Sequence, residues 1–521
     1  MQSSPDLPPL LVRADADARR GAGHVLRSLA LAQAWRERGG SVRFVTARPA
    51  SALKRRIQLA GAIVIELEDS YPSDGELTAG ILAQLQQSSG ECPWVIVDGY
   101  HFDGVYHAQL RRAGCDLLVI DDNAHLPGYN ADIVLNHGIQ APQLDYHAAN
   151  DGWFLLGTEY ALLRVDFERW RDFRRAIPPR AKNILVTLGG GDADNVTAKV
   201  LEALALLDGL DISVQVLVGP LNPHVCALAE RAGANIQLQT DVADTAALMA
   251  WADIAIAAGG TTAWELAFMQ TPALLLVLAE NQAGVAASVH NFGAAQALGQ
   301  AGNLTSEDVA DALRELISDP ARRQRMAERG RVLVDGRGVE RVIAAMVERR
   351  RFFSSDDFYL RPARESDRLL LWQWANDATV RRNSFHGGTI DWQAHEEWCA
   401  VKFASADCRI WIMQVGPLPV GQIRYERISS DTAEISLAIA RGFRGRQLGT
   451  RLLEASAERA ALELGIGRIQ GAVKLDNEAS RRAFLKAGFQ GRRESVQGEA
   501  CWVFRRAAHG SARREDYVAI H

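Results

Sequence analysis

From residue 10 to about 335 the chain alternates short apolar runs with stretches of helical periodicity. The first runs are LLVRAD (10–15), VRFVTA (42–47), IVIEL (63–67), WVIVDGY (94–100), LLVIDD (117–122) and IVLN (133–136). They are continuous rather than alternating, and they run into polar residues. That pattern predicts strands buried on both faces of a parallel sheet. Ligands of open α/β sheets bind at the carboxyl ends of the strands, so the chemistry is expected there.

The pattern restarts with NILVTLGGGDADN (183–195), ISVQVLVGP (212–220), ANIQLQT (234–240), DIAIAAGGT (253–261) and ALLLVL (273–278). Between the halves lie a charged stretch, Phe167 to Arg175, expected to be helical, and IPPRAK, whose double proline reads as a linker. Basic helices around 321–331 and 339–351 close this part. The predicted fold class is α/β, with two Rossmann-type domains, 10–175 and 176–350, facing each other across a cleft. At FFSSDDFYLRPARESD (352–367) the pattern changes to the shorter elements of an α+β domain, 357–508. There RIWIMQVGPLPVGQIRYERIS (409–429) reads as a hairpin turning at GPLP, and TAEISLAIA (432–440) and RIQGAVKLDN (468–477) read as strands. Residues 444–465 and 478–489 read as helices, the second capped by Gly488. Residues after about 508 are expected to form a loose tail.

Composition narrows the possibilities. A length of 521 residues accommodates three domains, at roughly 100–200 residues each. A net charge of −5 gives no reason to expect nucleic acid. The longest apolar run, PALLLVLA (272–279), is far short of the ~20 residues of a membrane helix. MQSSPDLPPL lacks the charged-then-apolar order of a signal peptide. Cys92, Cys115, Cys226, Cys399, Cys408 and Cys501 show no CxxC and no metal-like spacing. The expectation is reduced thiols in a cytoplasm, with no metal and no membrane.

RRGAGHVLRSLALAQAW (19–35) places His24 at the mouth of an amphipathic helix. A helix N-terminus collects anions and disfavours imidazolium, so the ring could accept a proton from water or merely end a turn. Arg27 lies one turn on and faces either the cleft or solvent. Asp15, Asp98 and Tyr100 follow strands and either touch a ligand or serve turns. In LGGGDADN (188–195) Gly189, Gly190 and Gly191 let backbone amides approach a phosphate, with Asp194 as the expected helix cap. In AAGGTTAWELAFMQTPALLLVLAENQ (257–282) a strand leads to Gly259, Gly260, Thr261 and Thr262. Glu265 either completes a capping box with Thr262 or meets ribose hydroxyls. Glu280, Asn281 and Gln282 form a polar cluster at the next strand end.

Together GAGH, GGGD and GGTTAWELAFMQTPALLLVLAENQ resemble the UDP-sugar hydrolase of pseudaminic acid biosynthesis, a family related to GT-B glycosyltransferases. The resemblance spans roughly residues 10–345. It implies UDP on the second domain, with Glu265 near the ribose and the Gly189–Gly191 and Gly259–Thr262 turns near the diphosphate. The sugar would face the first domain. It implies metal-free attack of water on the anomeric carbon with inversion, His24 acting as base. The implied binding set is Asp15, Gly23, Arg27, Tyr100, Gly190, Gly191, Gly260, Thr261, Thr262, Glu265, Asn281 and Gln282. The alternatives are a glycosyltransferase and a nucleotide-sugar sensor governing the third domain.

GFRGRQLGTRLLEASAE (442–458) and LDNEASRRAFLKAGF (475–489) resemble GNAT acetyltransferases, over about 357–505. This implies acetyl-CoA as cosubstrate. Its pyrophosphate would lie on Arg444, Gly445, Gln447, Gly449 and Thr450, its pantetheine arm along Leu437 and Ile439, with Asn477 nearby. Gln447 replaces the first glycine of the family pattern. Phe484 stands where many members carry an acid tyrosine, so no general acid is assigned. Glu434 is the first candidate base, His386 or His395 the second. RRNSFHGGTIDWQAHEEW (381–398) resembles sugar-amine acetyltransferases that modify the 4-amino group of a UDP-linked sugar. Trp372, Trp374, Trp392 and Trp398 line the acceptor pocket or the core. The fusion would put acetylation of a UDP-amino-sugar and removal of UDP on one chain.

Overall fold

The computed structural model describes residues 7–507 apart from 18–20, 70–73, 148, 150, 208, 241, 243 and 352–357. The expected tail lies outside the described residues. The chain forms two compact units, one ending at Arg349 and the other beginning at Arg350.

The first unit holds two parallel sheets. One contains β1 (Leu10–Ala14), β2 (Val42–Ala47), β3 (Ile63–Leu67), β4 (Trp94–Asp98), β5 (Asp116–Ile120), β6 (Ile133–Asn136) and β7 (Trp153–Leu156). Its order is β3-β2-β1-β4-β5-β6-β7. The other contains β8 (Asn183–Thr187), β9 (Ser213–Val218), β10 (Ile236–Thr240), β11 (Ile254–Ala258), β12 (Ala273–Val277) and β13 (Gln296–Gln300), in the order β10-β9-β8-β11-β12-β13. Helices cover both faces, so β1, β4, β11 and β12 are buried along their whole length. β3 departs from the expected two-sided burial. It is an edge strand and leaves Ile63 62% exposed. In each sheet the strand order reverses beside the first strand, between β1 and β4 and between β8 and β11. Such switch points open a crevice at the strand ends, and they position everything that follows.

The segment expected to be helical from Phe167 to Arg175 is instead a 3-10 turn, Val165–Trp170, followed by irregular chain. Its side chains explain why. The Arg175 guanidinium donates to the carbonyls of Met249 at 2.6 Å and Met269 at 3.1 Å and to Thr271 Oγ1 at 2.8 Å. These contacts spread the segment over the second lobe. The last helix of the unit, Gly338–Arg351, returns to the first lobe. Arg341 Nη1 donates to the Glu159 carbonyl at 2.7 Å, and the Arg349 guanidinium lies over the Trp153 ring at 5.6 Å. The chain therefore passes between the lobes twice.

The second unit is a seven-stranded mixed sheet. It contains β14 (Tyr359–Pro362), β15 (Cys408–Val415), β16 (Leu418–Ser429), β17 (Thr432–Ile439), β18 (Arg468–Lys474), β19 (Gln490–Val496) and β20 (Glu499–Ala507). The order is β14-β15-β16-β17-β18-β20-β19. The predicted hairpin forms, with Gly416 and Pro417 as its turn. Only β17 and β18 run parallel, and they pair only from Thr432 to Glu434 before parting. Among the described residues no helix is long and apolar enough to cross a membrane.

Candidate active site

Between the two lobes of the first unit lies a cavity of about 880 Å³, walled by the carboxyl ends of β1, β4, β8, β11 and β12. The first helix, Gly23–Glu37, sets His24 in its first turn on the cavity wall. His24 Nδ1 lies 2.6 Å from Asp98 Oδ1. Arg27 Nη2 also lies 3.2 Å from Nδ1, but the shorter contact is with the carboxylate, which when ionised can only accept; with Nδ1 donating to it, the neutral ring has its lone pair on Nε2. Asp98 ends β4 and is fully buried. It also accepts from Arg27 Nε and Nη2, both at 2.7 Å, and from Ser28 Oγ at 3.0 Å. Burial pushes the Asp98 carboxyl upward, but Arg27 and His24 outweigh it and hold it below the ordinary range.

Arg27 is 4% exposed, so its solvent-facing alternative gives way to an interior brace. Its Nη1 donates to Asp122 Oδ2 at 2.6 Å, and the same oxygen accepts from Tyr100 OH at 2.7 Å. The Tyr100 ring meets His24 edge-on at 5.0 Å. Burial, reinforced by Asp122, raises the Tyr100 phenol far above its usual value. His137 closes the back of the cluster, 3.3 Å from Arg27 Nη1, and burial pushes it down to about 4 despite Asp122.

Asp15 lies on the same wall, but its acceptor sites are occupied. It takes Arg13 Nη2 at 2.9 Å, the Ala47 amide at 2.7 Å and His101 Nε2 at 3.0 Å. Arg13 is buried and also donates to Asp74 at 2.8 Å.

The second lobe brings its glycine turns against this wall. A Cβ on Gly190 would lie 2.8 Å from the Ala22 nitrogen, and one on Gly23 would lie 3.6 Å from Thr261 Oγ1. Gly191, Gly260, Thr262 and Gln282 line the cavity too. The expected cap at Asp194 is replaced by Asp192. Its carboxylate takes the Val196 amide at 2.7 Å and the Thr197 amide at 2.9 Å. Asp192 has φ 51, which turns its side chain back over the helix start. The capping box expected for Thr262 and Glu265 does not form, because no side chain caps that helix. Glu265 instead accepts from Arg164 Nε at 3.1 Å. Burial raises its carboxyl while Arg164 opposes the rise. Gln282 Oε1 accepts from the Leu278 amide at 3.0 Å.

In the second unit the loop Arg444–Gln447 leads into the helix Leu448–Leu464, which carries Gly449 and Thr450 in its first turn. Gln447 has φ 61, the left-handed backbone that glycine adopts without strain. Gly445 has φ 78. Arg444 is engaged within the unit, donating to the Ile439 carbonyl at 2.9 Å and to Asp377 at 2.8 Å. Asn477 caps the helix Glu478–Lys486 through the Ser480 amide at 3.2 Å. Leu437 and Ile439 stand on β17 beyond Glu434, the last residue paired with β18, while still paired with β16. His395 is buried, hydrogen-bonded to the Arg368 carbonyl at 3.0 Å and pushed down to about 4 by burial. His386 is exposed. Trp372 and Trp392 pack edge-on at 5.7 Å, and Trp374 and Trp398 pack against a small core with Leu371 and Ile412. Phe484 stacks on Phe504 at 5.1 Å and offers no hydroxyl.

Among the cavity residues that escaped the reading of the sequence are His101, Asp122, His137 and Arg164. Asp122 ends a predicted strand run, and His101 and His137 each follow one, and that was the available signal. Arg164 carries none, since its partners Thr245 and Glu265 lie far off in the chain. Among the described residues no group of three or more His, Cys, Asp or Glu side chains is placed to hold a metal ion.

Residues 183–335 match the glycosyltransferase family 28 C-terminal domain, and residues 357–490 match the acetyltransferase (GNAT) domain. The chain is 23% identical over 514 residues to a protein of Methanocaldococcus jannaschii described as uncharacterized, covering 94% of this chain and 98% of that one. It is 31% identical over 193 residues to the spore coat polysaccharide biosynthesis protein SpsG of Bacillus subtilis, covering 36% and 57%. It is 25% identical over 193 residues to the pseudaminic acid cytidylyltransferase and UDP-2,4-diacetamido-2,4,6-trideoxy-beta-L-altropyranose hydrolase of Helicobacter pylori, covering 36% and 34%. Among solved structures, MurG of Acinetobacter baumannii aligns with TM-score 0.46 and 18% identity, over 66% of this chain and all of that one. An aminoglycoside acetyltransferase bound to coenzyme A aligns with TM-score 0.26 and 17% identity, over 29% and 95%.

Proposed function

We propose that this chain, in which a two-lobed glycosyltransferase-like unit is fused to a GNAT domain, is a bifunctional enzyme of nonulosonate (pseudaminic acid type) biosynthesis. Its GNAT domain acetylates the 4-amino group of a UDP-linked sugar with acetyl-CoA. Its two-lobed unit then hydrolyses UDP from the resulting UDP-2,4-diacetamido-2,4,6-trideoxy-β-L-altropyranose. The observation that carries the reading is the His24–Asp98 pair on the wall of the interlobe cavity. Support also comes from the hydrolase named in the Helicobacter relative.

In the hydrolytic step His24 Nε2 takes a proton from water as the water oxygen bonds to the anomeric carbon. The bond from that carbon to the β-phosphate oxygen breaks, UDP leaves with the electron pair, and configuration inverts. The ring becomes a cation as the proton arrives, and the anion of Asp98 against Nδ1 stabilises it. Glu265 takes the ribose hydroxyls, with Asn281 and Gln282 beside it. The turn Gly260–Thr262 presents backbone amides to the diphosphate. In the acetyl transfer the amine nitrogen attacks the thioester carbonyl, the carbon–sulfur bond breaks, and coenzyme A leaves as thiolate. The amine's proton passes to Glu434, which stands where β17 and β18 part, an opening suited to the pantetheine arm. The reading carries no metal and no membrane partner.

The decisive experiment incubates the purified protein with UDP-4-amino-4,6-dideoxy-N-acetyl-altrosamine and acetyl-CoA and follows the products by mass spectrometry. The expected products are coenzyme A, UDP and free diacetamido sugar. Consumption of neither substrate would overturn the reading. The family 28 match favours one second reading, a glycosyltransferase. In that case UDP appears only when a sugar acceptor is added.

A further inference from the structure

The turn after β4 reads Asp98-Gly99-Tyr100-His101 and sends three side chains to three different partners. Asp98 holds His24, and Tyr100 donates to Asp122. His101 has no part in the chemistry above, yet it lies on the cavity wall. Behind it stands a buried chain of charges, in which Asp74 accepts from Arg13, Arg13 is bidentate on Asp15, and Asp15 meets His101 Nε2 at 3.0 Å. Burial pushes the Asp15 carboxyl upward, but His101 and Arg13 hold it well below the ordinary range. As an anion it can only accept, so His101 Nε2 carries the hydrogen and Nδ1 is the lone-pair nitrogen.

The absent side chain at position 99 keeps that nitrogen open. A Cβ on Gly99 would lie 2.9 Å from His101 Nδ1 and 2.7 Å from Cε1. Gly99 and His101 both line the cavity, so the missing methyl leaves the Nδ1 edge of the ring uncovered there. Asp15 has no such vacancy, since each of its oxygens already receives two donors. The group that meets a ligand at this end of the first lobe is therefore the histidine.

We propose that His101 is a specificity-determining residue of the hydrolytic site, its Nδ1 accepting a hydrogen bond from a hydroxyl or amide N–H on the pyranose ring of a sugar nucleotide. Asp15, Arg13 and Asp74 are positioning residues that act through it. The inference rests on the UDP-sugar reading of the cavity and adds to it the second histidine as the group that reads the sugar.

The test is His101→Gln in the full chain. Glutamine Nε2 reaches the place of imidazole Nε2 and keeps the bond to Asp15, but it puts no acceptor where Nδ1 stood. With UDP-diacetamido-trideoxy-altropyranose, KM is expected to rise about tenfold, the worth of one hydrogen bond, with kcat changed less. The Kd for UDP alone, which lacks the sugar, should stay at the wild-type value, and the melting temperature should hold. His101→Phe, which also strips Asp15 of a donor, should show the same KM effect with a lower melting temperature. A His101→Gln enzyme with wild-type KM, or one that loses UDP affinity in equal measure, overturns the assignment. If wild type releases UDP and His24→Asn does not, such a His101→Gln result refutes the role of His101 alone and leaves the UDP-sugar reading standing. If wild type releases UDP from no sugar nucleotide, the UDP-sugar reading falls and this inference falls with it.

Discussion

His24 Nδ1 and Asp98 Oδ1 stand 2.6 Å apart, although 74 residues separate them in the chain. The contact joins the first turn of one helix to the end of a neighbouring strand, and both ends are set by the switch point between β1 and β4. It leaves one imidazole nitrogen committed and the other toward the cavity. Asp98→Asn keeps the shape and removes the charge. UDP release should fall by on the order of 10²–10⁴, the range for loss of an oriented general base, while UDP affinity remains. Steady-state kinetics beside isothermal titration with UDP checks both halves.

The same carboxylate carries a stability signature. Asp98 titrates below its ordinary range in the fold. Such a group contributes stability above its unfolded value, near ~3.9, and loses it as pH falls through the folded one. Asp98→Asn leaves the buried Arg27 with less counter-charge, so a loss of about 3–5 kcal/mol is expected at neutral pH, typical of a broken buried pair. The gap between wild type and variant should narrow as pH drops below about 4. Melting curves from pH 7 to 3 test this. A gap that widens in acid contradicts the assignment.

Tyr100 OH donates to Asp122 Oδ2 at 2.7 Å, on the wall of the cavity that Asn281 of the second lobe also lines. Tyr100→Phe cuts that link and leaves the ring against His24. KM for the sugar nucleotide should rise several-fold, about one lost hydrogen bond, with little change in melting temperature.

How far the sequence carried depends on what each feature needed. The buried strands were legible because continuous apolar runs have few other uses, and β2 and β6 fall where the runs were read. β13, QALGQ, was not, because three of its five residues are Gln or Gly and its pairing with β12 comes from tertiary context. His24 was legible from its glycine turn and helix. Its partner Asp98 was visible only as one of several strand-end acids. The helix cap at Asp192 and the ion pair of Glu265 with Arg164 needed a backbone turn and a contact 101 residues apart, and neither leaves a periodic trace. In the second unit the helix and loop pattern was plain. That Arg444 braces Asp377 rather than standing open to solvent was not.

Gln447 tests the loop of the second unit. It holds φ 61 with a full side chain, a conformation that costs an L-residue roughly 1–2 kcal/mol relative to glycine. Gln447→Gly should leave stability within about 0.5 kcal/mol, since relieved strain offsets the added freedom of the unfolded chain. It should also lower KM for acetyl-CoA as the backbone comes closer to the pyrophosphate. Gln447→Val, β-branched, should destabilise by about 1–2 kcal/mol and raise that KM. Chemical denaturation and acetyl-CoA titration of the two variants decide it.

Gly190 offers the sharpest test of the interlobe geometry. Its absent side chain lets the second lobe's glycine turn pack against the start of the first helix, where a Cβ would come within 2.8 Å of the Ala22 nitrogen and 2.9 Å of Ala22 Cβ. The Ala22 nitrogen is backbone and cannot rotate away, so Gly190→Ala must shift the turn or the helix start. His24 lies two residues beyond Ala22 and moves with it. Displacement of a reacting group by about 1 Å costs on the order of 10²-fold in rate, so UDP release should fall by about that factor even though neither His24 nor Asp98 is altered. Each lobe keeps its own core, so the melting temperature should change little. Acetyl transfer by the second unit should be unaffected, which separates a local displacement from general misfolding. Wild-type UDP release from Gly190→Ala would mean that the two turns do not need to meet for catalysis.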